Sequence, residues 1–267
     1  MTSAGPVRIL TLNTWKNEGA YAARIRAITS GLRALAPDVV LLQEVFRTTG
    51  GEAHTSVALA DALGMVHAYA PGRAKPRTWQ GREVPSESGL AILARGPITR
   101  VERLPLPSDE AGGERLALLV NARIRGQLIL AGCVHLSHLR GDDARRAQQL
   151  AAVLANPRWS EPAAIRVLGG DFNATAESSA VAGLVRHPDL RIVDVRTDGP
   201  VAPATYPLPP REGQSGRTID YLLAIAPRAE IPPRVQTAGV ALAEPIDGTW
   251  PSDHAAVWAD LDPQELR

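Results

Sequence analysis

The 267-residue sequence has little of what several large classes of protein require. It contains one cysteine, Cys133, so no intramolecular disulfide can form, which is typical of proteins from a reducing compartment. Aromatic residues make up only 4% of the chain, so aliphatic side chains must supply most of the core. Because Cys133 lies in the apolar run 128–134, we expect it to be a buried core residue.

Membrane-spanning segments and a strong net charge are also missing from the sequence. No uninterrupted apolar stretch approaches the ~18 residues that cross a bilayer. Residues 1–6 have neither the basic nor the apolar region of a signal peptide, so we expect a cytoplasmic protein. A secreted protein whose signal peptide had been removed would begin in the same way. The net charge of +1 neither favours nor excludes binding to nucleic acid.

What remains is the composition of an ordinary globular protein. Hydrophobic residues make up 45% of the chain and charged residues 21%, which is enough apolar material for a sizeable core. The sequence shows no internal repeat and no low-complexity tract. Single α/β domains of about 200–250 residues are common, and no segment resembles a linker. We therefore expect residues 1–267 to form one domain.

Short apolar segments that end on polar residues recur along the chain. The predicted strands are 7–12, 39–42, 128–134, 165–168, 218–225 and 255–261. The predicted helices are 20–35, 142–154 and 177–185. The predicted loops, rich in proline and glycine, are 71–88, 105–114 and 199–216. This alternation predicts sheets covered by helices, although the order of the strands is not given by their spacing.

Eight polar residues interrupt the apolar pattern at strand ends: Asn13, Glu44, His135, Asp171, Asn173, Asp220, Asp253 and His254. Strand ends at a common sheet edge lie close together, and carboxylates gathered there repel one another unless a cation lies among them. Oxygen ligands suit Mg²⁺, with Mn²⁺ and Ca²⁺ as alternatives, and the lack of a cysteine cluster or an HExxH pattern argues against zinc. This set of groups indicates phosphoester chemistry.

Six of these segments carry a resemblance to a known family. They are 11–15 (TLNTW), 42–45 (LQEV), 134–136 (VHL), 170–174 (GDFNA), 219–221 (IDY) and 252–254 (SDH). In this order they resemble the signature segments of the endonuclease/exonuclease/phosphatase superfamily, and 88–93 (SGLAIL) resembles one of its strands. The resemblance covers nearly the whole chain. It implies a four-layer α/β sandwich of the DNase I-like type, with two mixed β-sheets face to face and helices outside.

The resemblance also implies a metal site. Glu44 matches the metal carboxylate of the family, with Asn13 and Asp253 beside it in the metal shell. The implied ion is Mg²⁺, with Mn²⁺ or Ca²⁺ as alternatives.

The remaining five residues would act on water and phosphate. Asp171 resembles the carboxylate that activates water, and Asn173 the amide that holds the nucleophile or a phosphate oxygen. His254 matches the histidine that contacts the scissile phosphate, oriented by Asp220. His135 matches a second histidine that faces the phosphate.

These roles imply a metal-dependent phosphoester hydrolase, either a phosphatase or a phosphodiesterase, in which water at the metal site attacks in line. The near-neutral charge favours a phosphorylated small molecule, a phospholipid head group or a nucleotide as substrate. A DNase I-like nuclease acting on DNA or RNA is the alternative. A catalytically inactive binding scaffold is a third interpretation, against which the intact site residues argue. Oligomeric state cannot be read from the sequence.

Two positions differ among relatives. Abasic-site endonucleases carry a tyrosine where this chain has His135, so the chain resembles the DNase I-like, sphingomyelinase-like and phosphatase-like members instead. Many relatives have an arginine immediately before the Ile-Asp pair at 219–220, where this chain has Thr218. Arg217 precedes it, and its role is left open.

Three further residues are weaker candidates for substrate binding. In the loop 71–88, Arg77 and Trp79 would hold a second phosphate and stack on a planar group, although a solvated charged loop is the commoner arrangement. Arg145, together with Gln148, resembles a pair in phosphatase-like members, with a solvated helix face as the alternative. His138 is interpreted as a supporting residue.

Overall fold

Two six-stranded sheets form the frame of the computed structural model, which describes residues 5–109, 113–196, 204–209 and 215–264. The first sheet contains, in spatial order, β13 (Val235–Ala241), β14 (Ala256–Leu261), β1 (Val7–Asn13), β2 (Val39–Thr48), β6 (Ser86–Ala94) and β3 (Val66–Ala70). The second contains β11 (Leu190–Asp194), β12 (Asp220–Pro227), β10 (Ile165–Asp171), β9 (Gln127–His135), β8 (Arg115–Ile124) and β7 (Ile98–Leu106). A separate hairpin is formed by β4 (Arg77–Trp79) and β5 (Arg82–Val84).

Each large sheet is mixed, with one parallel pair at its centre. Strands β1 and β2 are parallel, as are β9 and β10, and the other neighbours are antiparallel. Parallel neighbours end at the same edge, so Asn13 lies opposite Gln43 in the first sheet and His135 opposite Asp171 in the second. The strand ends that carry polar residues are therefore adjacent.

The main core lies between the two sheets. Aliphatic side chains on the facing surfaces, such as Ile9, Leu41 and Val167, are fully buried there. Cys133 is buried in the same layer, as the apolar run around it predicts. Removing this much aliphatic surface from water is the main stabilising contribution in a chain with few aromatic residues.

Four helices cover the outer faces: α1 (Tyr21–Leu35), α2 (Thr55–Leu63), α3 (Asp143–Leu154) and α4 (Ser179–Ala182). Leu32 of α1 and Leu59 of α2 pack on the first sheet, while Leu150 of α3 and Ala180 of α4 pack on the second. The predicted four-layer α/β sandwich is confirmed. Among the described residues, none of the helices is both long enough and apolar enough to span a bilayer.

Several predicted bounds differ from the structure. The predicted helix 177–185 is shorter, because Gly183 separates α4 from a 3-10 turn at Leu184–Arg186. The predicted loop 71–88 contains the β4–β5 hairpin and the start of β6. Of the predicted loop 199–216, residues 199–203 and 210–214 lie outside the described residues, as do 110–112 of the loop 105–114.

Candidate active site

Three of the predicted residues lie in one row across the second sheet. The register pairs Asp171 on β10 with His135 on β9 and with Asp220 on β12. Gly170 allows this close approach, since its backbone has φ +150° and a Cβ atom there would lie 1.9 Å from the carbonyl oxygen of Val134. Because Gly170 has no side chain, β10 can lie close to β9, and the Asp171 carboxylate comes beside the His135 ring.

The first sheet presents Asn13 and Glu44 at the corresponding edge. Asn13 ends β1, and Glu44 lies in an irregularity of β2, where the pairing with β6 shifts register between Leu42 and Val45. Glu44 has φ +53°, a left-handed conformation that is costly for a residue with a side chain. The bulge turns this carboxylate towards the cavity, where Glu44 is one of the lining residues.

The segment that enters β14 connects the two edges. The Ser252 hydroxyl donates to the carbonyl oxygen of Asn13 over 2.6 Å and accepts from the His254 backbone amide over 3.2 Å. Asp253 and His254 are therefore fixed against the end of β1. The SDH motif places a carboxylate and an imidazole at the junction of the two sheets.

Asp171 is the residue on which the other groups converge. Its Oδ2 accepts from Asn13 Nδ2 over 3.0 Å, and its Oδ1 accepts from the Asn173 backbone amide over 2.8 Å. His135 Nε2 lies 3.6 Å and His254 Nε2 lies 3.8 Å from Oδ2. The carboxylate is only 2% exposed, so two amides and two imidazoles surround a desolvated anion.

A buried carboxylate orients the His254 ring. Asp220 is fully buried, and its Oδ2 lies 2.9 Å from His254 Nδ1. The Tyr206 ring packs against the imidazole at a tilt of 39°, with 4.6 Å between the ring centroids. The Thr205 hydroxyl accepts from the Asp220 backbone amide, which ties this loop to β12. Nε2 of His254 is therefore the nitrogen left for a substrate.

Burial and neighbouring charge shift the pKa values of these groups in different directions. Burial raises the pKa of Asp171, which the nearby Asp220 carboxylate raises further. Burial alone would lower the pKa of His254, but the Asp220 and Asp171 carboxylates outweigh it and raise the pKa. Burial, reinforced by Arg115, lowers the pKa of His135 well below its usual range. One histidine is thus held as imidazolium and the other as neutral imidazole.

Glu44, Asp253 and Asn13 fit a divalent metal ion. Burial raises the pKa of Asp253, and the Glu44 carboxylate adds to the rise, which places the two anions close enough to repel. The Lys16 ammonium lies 2.9 Å from Glu44 Oε1 and relieves part of that repulsion. Hard oxygen donors that attract a cation are the chemistry that Mg²⁺ requires.

A second group of side chains could also hold a metal ion. Atoms of Asp171, Asp220 and His254 also lie within 4.8 Å of one another. Two of these atoms already contact each other, since His254 Nδ1 lies 2.9 Å from Asp220 Oδ2, and Asp220 is not among the described lining residues of the cavity. We therefore favour Glu44, Asp253 and Asn13 as the metal ligands.

Of the eight polar residues at strand ends, all except Asp220 line one cavity, which has a volume of about 870 Å³. The lining residues that were not singled out from the sequence include Lys16, Arg115 and Tyr206. Arg115 donates to the His135 carbonyl oxygen over 3.3 Å and contacts His138 Nδ1 over 2.6 Å. Because a guanidinium can only donate, His138 Nδ1 accepts, so the His138 ring is neutral in this arrangement.

A buried arginine shapes the turn that carries Lys16. Arg24 on α1 donates to the carbonyl oxygens of Thr14, Trp15 and Lys16, over 2.9, 3.1 and 3.0 Å. Trp15 and Lys16 have φ +54° and +44°, and the arginine contacts hold them in this left-handed turn. Arg24 lies within the predicted helix 20–35, where it was not a candidate site residue.

The structure places the three weaker candidates for substrate binding in different surroundings. Arg77 lines the cavity, but Trp79 and Arg145 are not among its described lining residues. Trp79 packs edge-on against Tyr21, with ring centroids 5.1 Å apart, because the hairpin turns it towards the first sheet. Arg145 forms an ion pair of 2.8 Å with Asp109. The Arg217 guanidinium lies over the Tyr206 ring, 5.3 Å from its centroid.

The sequence model of the Endonuclease/Exonuclease/phosphatase family matches residues 10–254. The chain belongs to this family. The match extends from Leu10, within β1, to His254 and so includes all eight strand-end residues. No curated protein matches the chain.

Several solved structures share the fold of this chain. An endonuclease/exonuclease/phosphatase from Beutenbergia cavernae DSM 12333 is 23% identical with a TM-score of 0.77, over 98% of this chain and 73% of that one. A family protein from Leptotrichia buccalis C-1013-b is 15% identical, with a TM-score of 0.73 over 96% and 99% of the two chains. D. rerio TDP2 complexed with a single-strand DNA product is 20% identical, with a TM-score of 0.75 over 97% and 99%.

Proposed function

We propose that this protein is a Mg²⁺-dependent phosphoester hydrolase that acts on a small phosphorylated substrate. The single observation that carries the proposal is the position of Asp171. Its buried carboxylate lies between two asparagines and two histidines, in the same cavity as the carboxylates of Glu44 and Asp253. Family membership supports phosphoester chemistry in general.

Glu44, Asp253 and Asn13 would hold the metal ion. Asn13 can offer only its Oδ1 atom, because its Nδ2 atom donates to Asp171. When bound, the ion withdraws charge from phosphate oxygens and neutralises the carboxylates around it. Asn13 then connects the metal ligands to Asp171 through one side chain.

Asp171 would take the proton from the attacking water. Burial raises the pKa of this carboxyl group, which makes its ionised form a stronger base towards water than an exposed aspartate. Both amides are directed at the same carboxylate and fix its plane. The Asn173 side chain, which donates to the Leu136 carbonyl oxygen over 3.2 Å, would orient the water.

The two histidines would stabilise charge on the phosphate. His254 is held as imidazolium by Asp220, so its Nε2–H can donate to a non-bridging oxygen. His135 stays neutral and would donate one hydrogen bond without adding charge. Donors that are fixed before the substrate binds lower the free energy of a transition state in which charge grows on oxygen.

A nuclease is the second candidate function. The neighbour TDP2 complexed with a single-strand DNA product supports it, since that protein shares the fold over 97% of this chain. Cleavage of DNA or RNA would fall steeply with salt, because backbone contacts release counterions. An inactive binding scaffold remains the third candidate, and it predicts no turnover of any phosphoester.

The test is hydrolysis by the purified protein with Mg²⁺, Mn²⁺ or Ca²⁺. The substrates are a generic phosphomonoester, a phosphodiester, plasmid DNA, RNA and sphingomyelin, each with and without EDTA. We expect metal-dependent hydrolysis of a small ester, lost in Asp171→Asn and kept in Asp61→Asn, whose carboxylate is exposed on α2 outside the cavity. Salt-sensitive cleavage of DNA or RNA alone would favour the nuclease, and no turnover would favour the scaffold.

A further inference from the structure

The Arg77 guanidinium lies in the cavity with only neutral partners. It donates to the Ser86 hydroxyl over 3.0 Å, to the Ser88 hydroxyl over 3.1 Å and to the Lys75 carbonyl oxygen over 3.3 Å. Among the described residues, no carboxylate forms an ion pair with Arg77. Arg158, by comparison, pairs with Glu102 over 3.4 Å. The guanidinium is therefore fixed in position by neutral groups, and the carboxylates that attract it, Glu44 and Glu18, do so without direct contact.

The hairpin that carries Arg77 is anchored at several points. Trp79 packs against Tyr21 and Phe46, with ring centroids 5.1 and 5.3 Å away. Asn17 Nδ2 donates to the Thr78 carbonyl oxygen over 2.7 Å. These contacts join the hairpin to α1, to β2 and to the turn after β1. Arg77 therefore belongs to a fixed wall of the cavity.

This wall lies on the side of the cavity where the metal ligand Glu44 is found. Ser88, which accepts from Arg77, pairs across the sheet with Phe46, and Gly89 pairs with Val45, next to the bulge at Glu44. Arg77 and Ser88 both line the cavity. A substrate phosphate at the metal would thus have a guanidinium and a hydroxyl within the same cavity.

The net charge of the side chains around the cavity, together with the ion, becomes more positive once a divalent metal binds. The lining includes five carboxylates, Glu18, Glu44, Glu114, Asp171 and Asp253, and six lysine and arginine side chains, Lys16, Arg73, Lys75, Arg77, Arg115 and Arg217, in addition to His254. A divalent ion would occupy Glu44 and Asp253 and leave the cations of the wall in excess. The complementary ligand is a substrate with more negative charge than one phosphate carries.

We propose that Arg77, with Ser88, forms a subsite for a second phosphate group of the substrate, which makes the preferred substrate class a small molecule with two phosphate groups. This rests on the proposed function and names its substrate class. A guanidinium binds phosphate through parallel N–H donors, and its fixed hydroxyl partners hold its plane before the substrate arrives. A single fixed guanidinium suits a second phosphate at a defined distance better than it suits a long polyanion.

The experiment compares alkanediol bisphosphates with the matching monophosphates, using ethane, butane and hexane spacers, and measures kcat/KM for phosphate release with Mg²⁺. We expect at least one bisphosphate to exceed its monophosphate about tenfold, which corresponds to about 1.4 kcal/mol. Arg77→Met should abolish most of this preference, and Arg77→Lys should keep part of it. The matched control is Arg82→Met, on the same hairpin but outside the cavity lining, which should keep the wild-type preference.

The subsite is overturned if no bisphosphate is preferred, or if Arg77→Met keeps the preference while thermal unfolding shows it to be folded. Failure of the proposed function gives a different result, namely no phosphate release from either ester. In that case titration calorimetry with butane-1,4-diyl bisphosphate decides the subsite. Binding that weakens in Arg77→Met and not in Arg82→Met supports it, and equal binding by all variants rejects it.

Discussion

The ammonium nitrogen of Lys16 lies 2.9 Å from Oε1 of Glu44, the carboxylate that we propose as the main metal ligand. The chain thus provides its own cation at the place where an ion would bind. The pair is largely shielded from solvent, since 32% of the Lys16 side chain and 13% of the Glu44 side chain are exposed. A metal ion that binds Glu44 has to replace this contact.

We predict that Lys16→Met destabilises the metal-free protein and strengthens its binding of Mg²⁺. The loss of one partly exposed ion pair should lower the free energy of unfolding by about 1 kcal/mol. The metal no longer displaces an ammonium group, so titration calorimetry should show a lower Kd. Lys75→Met, which removes the other lysine of the cavity, is the control. An unchanged or higher Kd in Lys16→Met would show that Lys16 does not compete with the ion.

Glu44→Gln should remove the response of stability to Mg²⁺. At a concentration of about 100 times Kd, a metal that binds only the folded state stabilises it by about 2.7 kcal/mol. Thermal unfolding of the wild type should shift upwards with Mg²⁺, and that of Glu44→Gln should not, while turnover falls in parallel. Glu87→Gln serves as a control outside the cavity lining. Wild-type activity that persists in EDTA would contradict metal dependence altogether.

Asp220→Asn should lower kcat by roughly a hundredfold or more, in the range measured for a lost electrostatic donor. The amide keeps the shape of the side chain but no longer stabilises the His254 imidazolium across the 2.9 Å contact. His254→Ala should show a loss of similar size, and the double variant little more than either single one, because the two groups act as a unit. Steady-state kinetics on folded variants is the measurement, and additive losses would mean that the two side chains act separately.

Trp79→Leu should lower stability rather than affect substrate stacking. The indole packs against Tyr21 and Phe46, and loss of a well-packed aromatic side chain costs about 3 kcal/mol when it is fully buried, and less at a partly buried site. Urea unfolding gives the change in free energy. A raised KM for planar substrates, with stability unchanged, would instead support the stacking role.

His54 should make stability depend on pH below neutrality. Burial lowers the pKa of His54 from 6.5 to about 4, and Arg47 and His67 add to the shift. The folded state therefore binds fewer protons than the unfolded state between these values, so stability is full above pH 6.5 and falls as the pH decreases towards 4. Urea unfolding at pH 7.5 and pH 5 should show a smaller difference in His54→Gln than in the wild type. An equal difference would assign the effect to other groups.

The sequence predicted the fold and the polar residues that lie together in the cavity. Both predictions depend on where the apolar strands end. Asn13 and His135 follow an apolar segment directly, and Asp171 follows one after two glycines. The register of parallel neighbours brings such positions together. Their roles in catalysis stay predictions, as does the assignment of residues 1–267 to one domain. The hydrophobic pattern contained the strands β1, β2, β9 and β10 that carry the site, although it placed their ends too early.

Residues whose position depends on distant contacts could not be predicted in the same way. Lys16 contacts Glu44 from the turn after β1, and Arg24 on α1 holds this turn by donating to the carbonyl oxygens of Trp15 and Lys16. Arg115 begins β8, and its partner His138 lies 23 residues further along the chain. Trp79 was a weak candidate for stacking on the substrate, with a solvated charged loop as the commoner arrangement, but its packing partner Phe46 comes from another strand. No local spacing encodes these contacts.

Gly170 limits which substitutions the site can tolerate, because its backbone lies against β9. Since β10 approaches β9 through a position with no room for a Cβ atom, the close main-chain contact at Gly170 sets the spacing of the strands that carry Asp171 and His135. Replacement of Gly170 by alanine would push the strands apart and impair the reaction without altering any reacting group. Such a variant would resemble a catalytic mutant in every assay of turnover, although the defect lies in strand spacing.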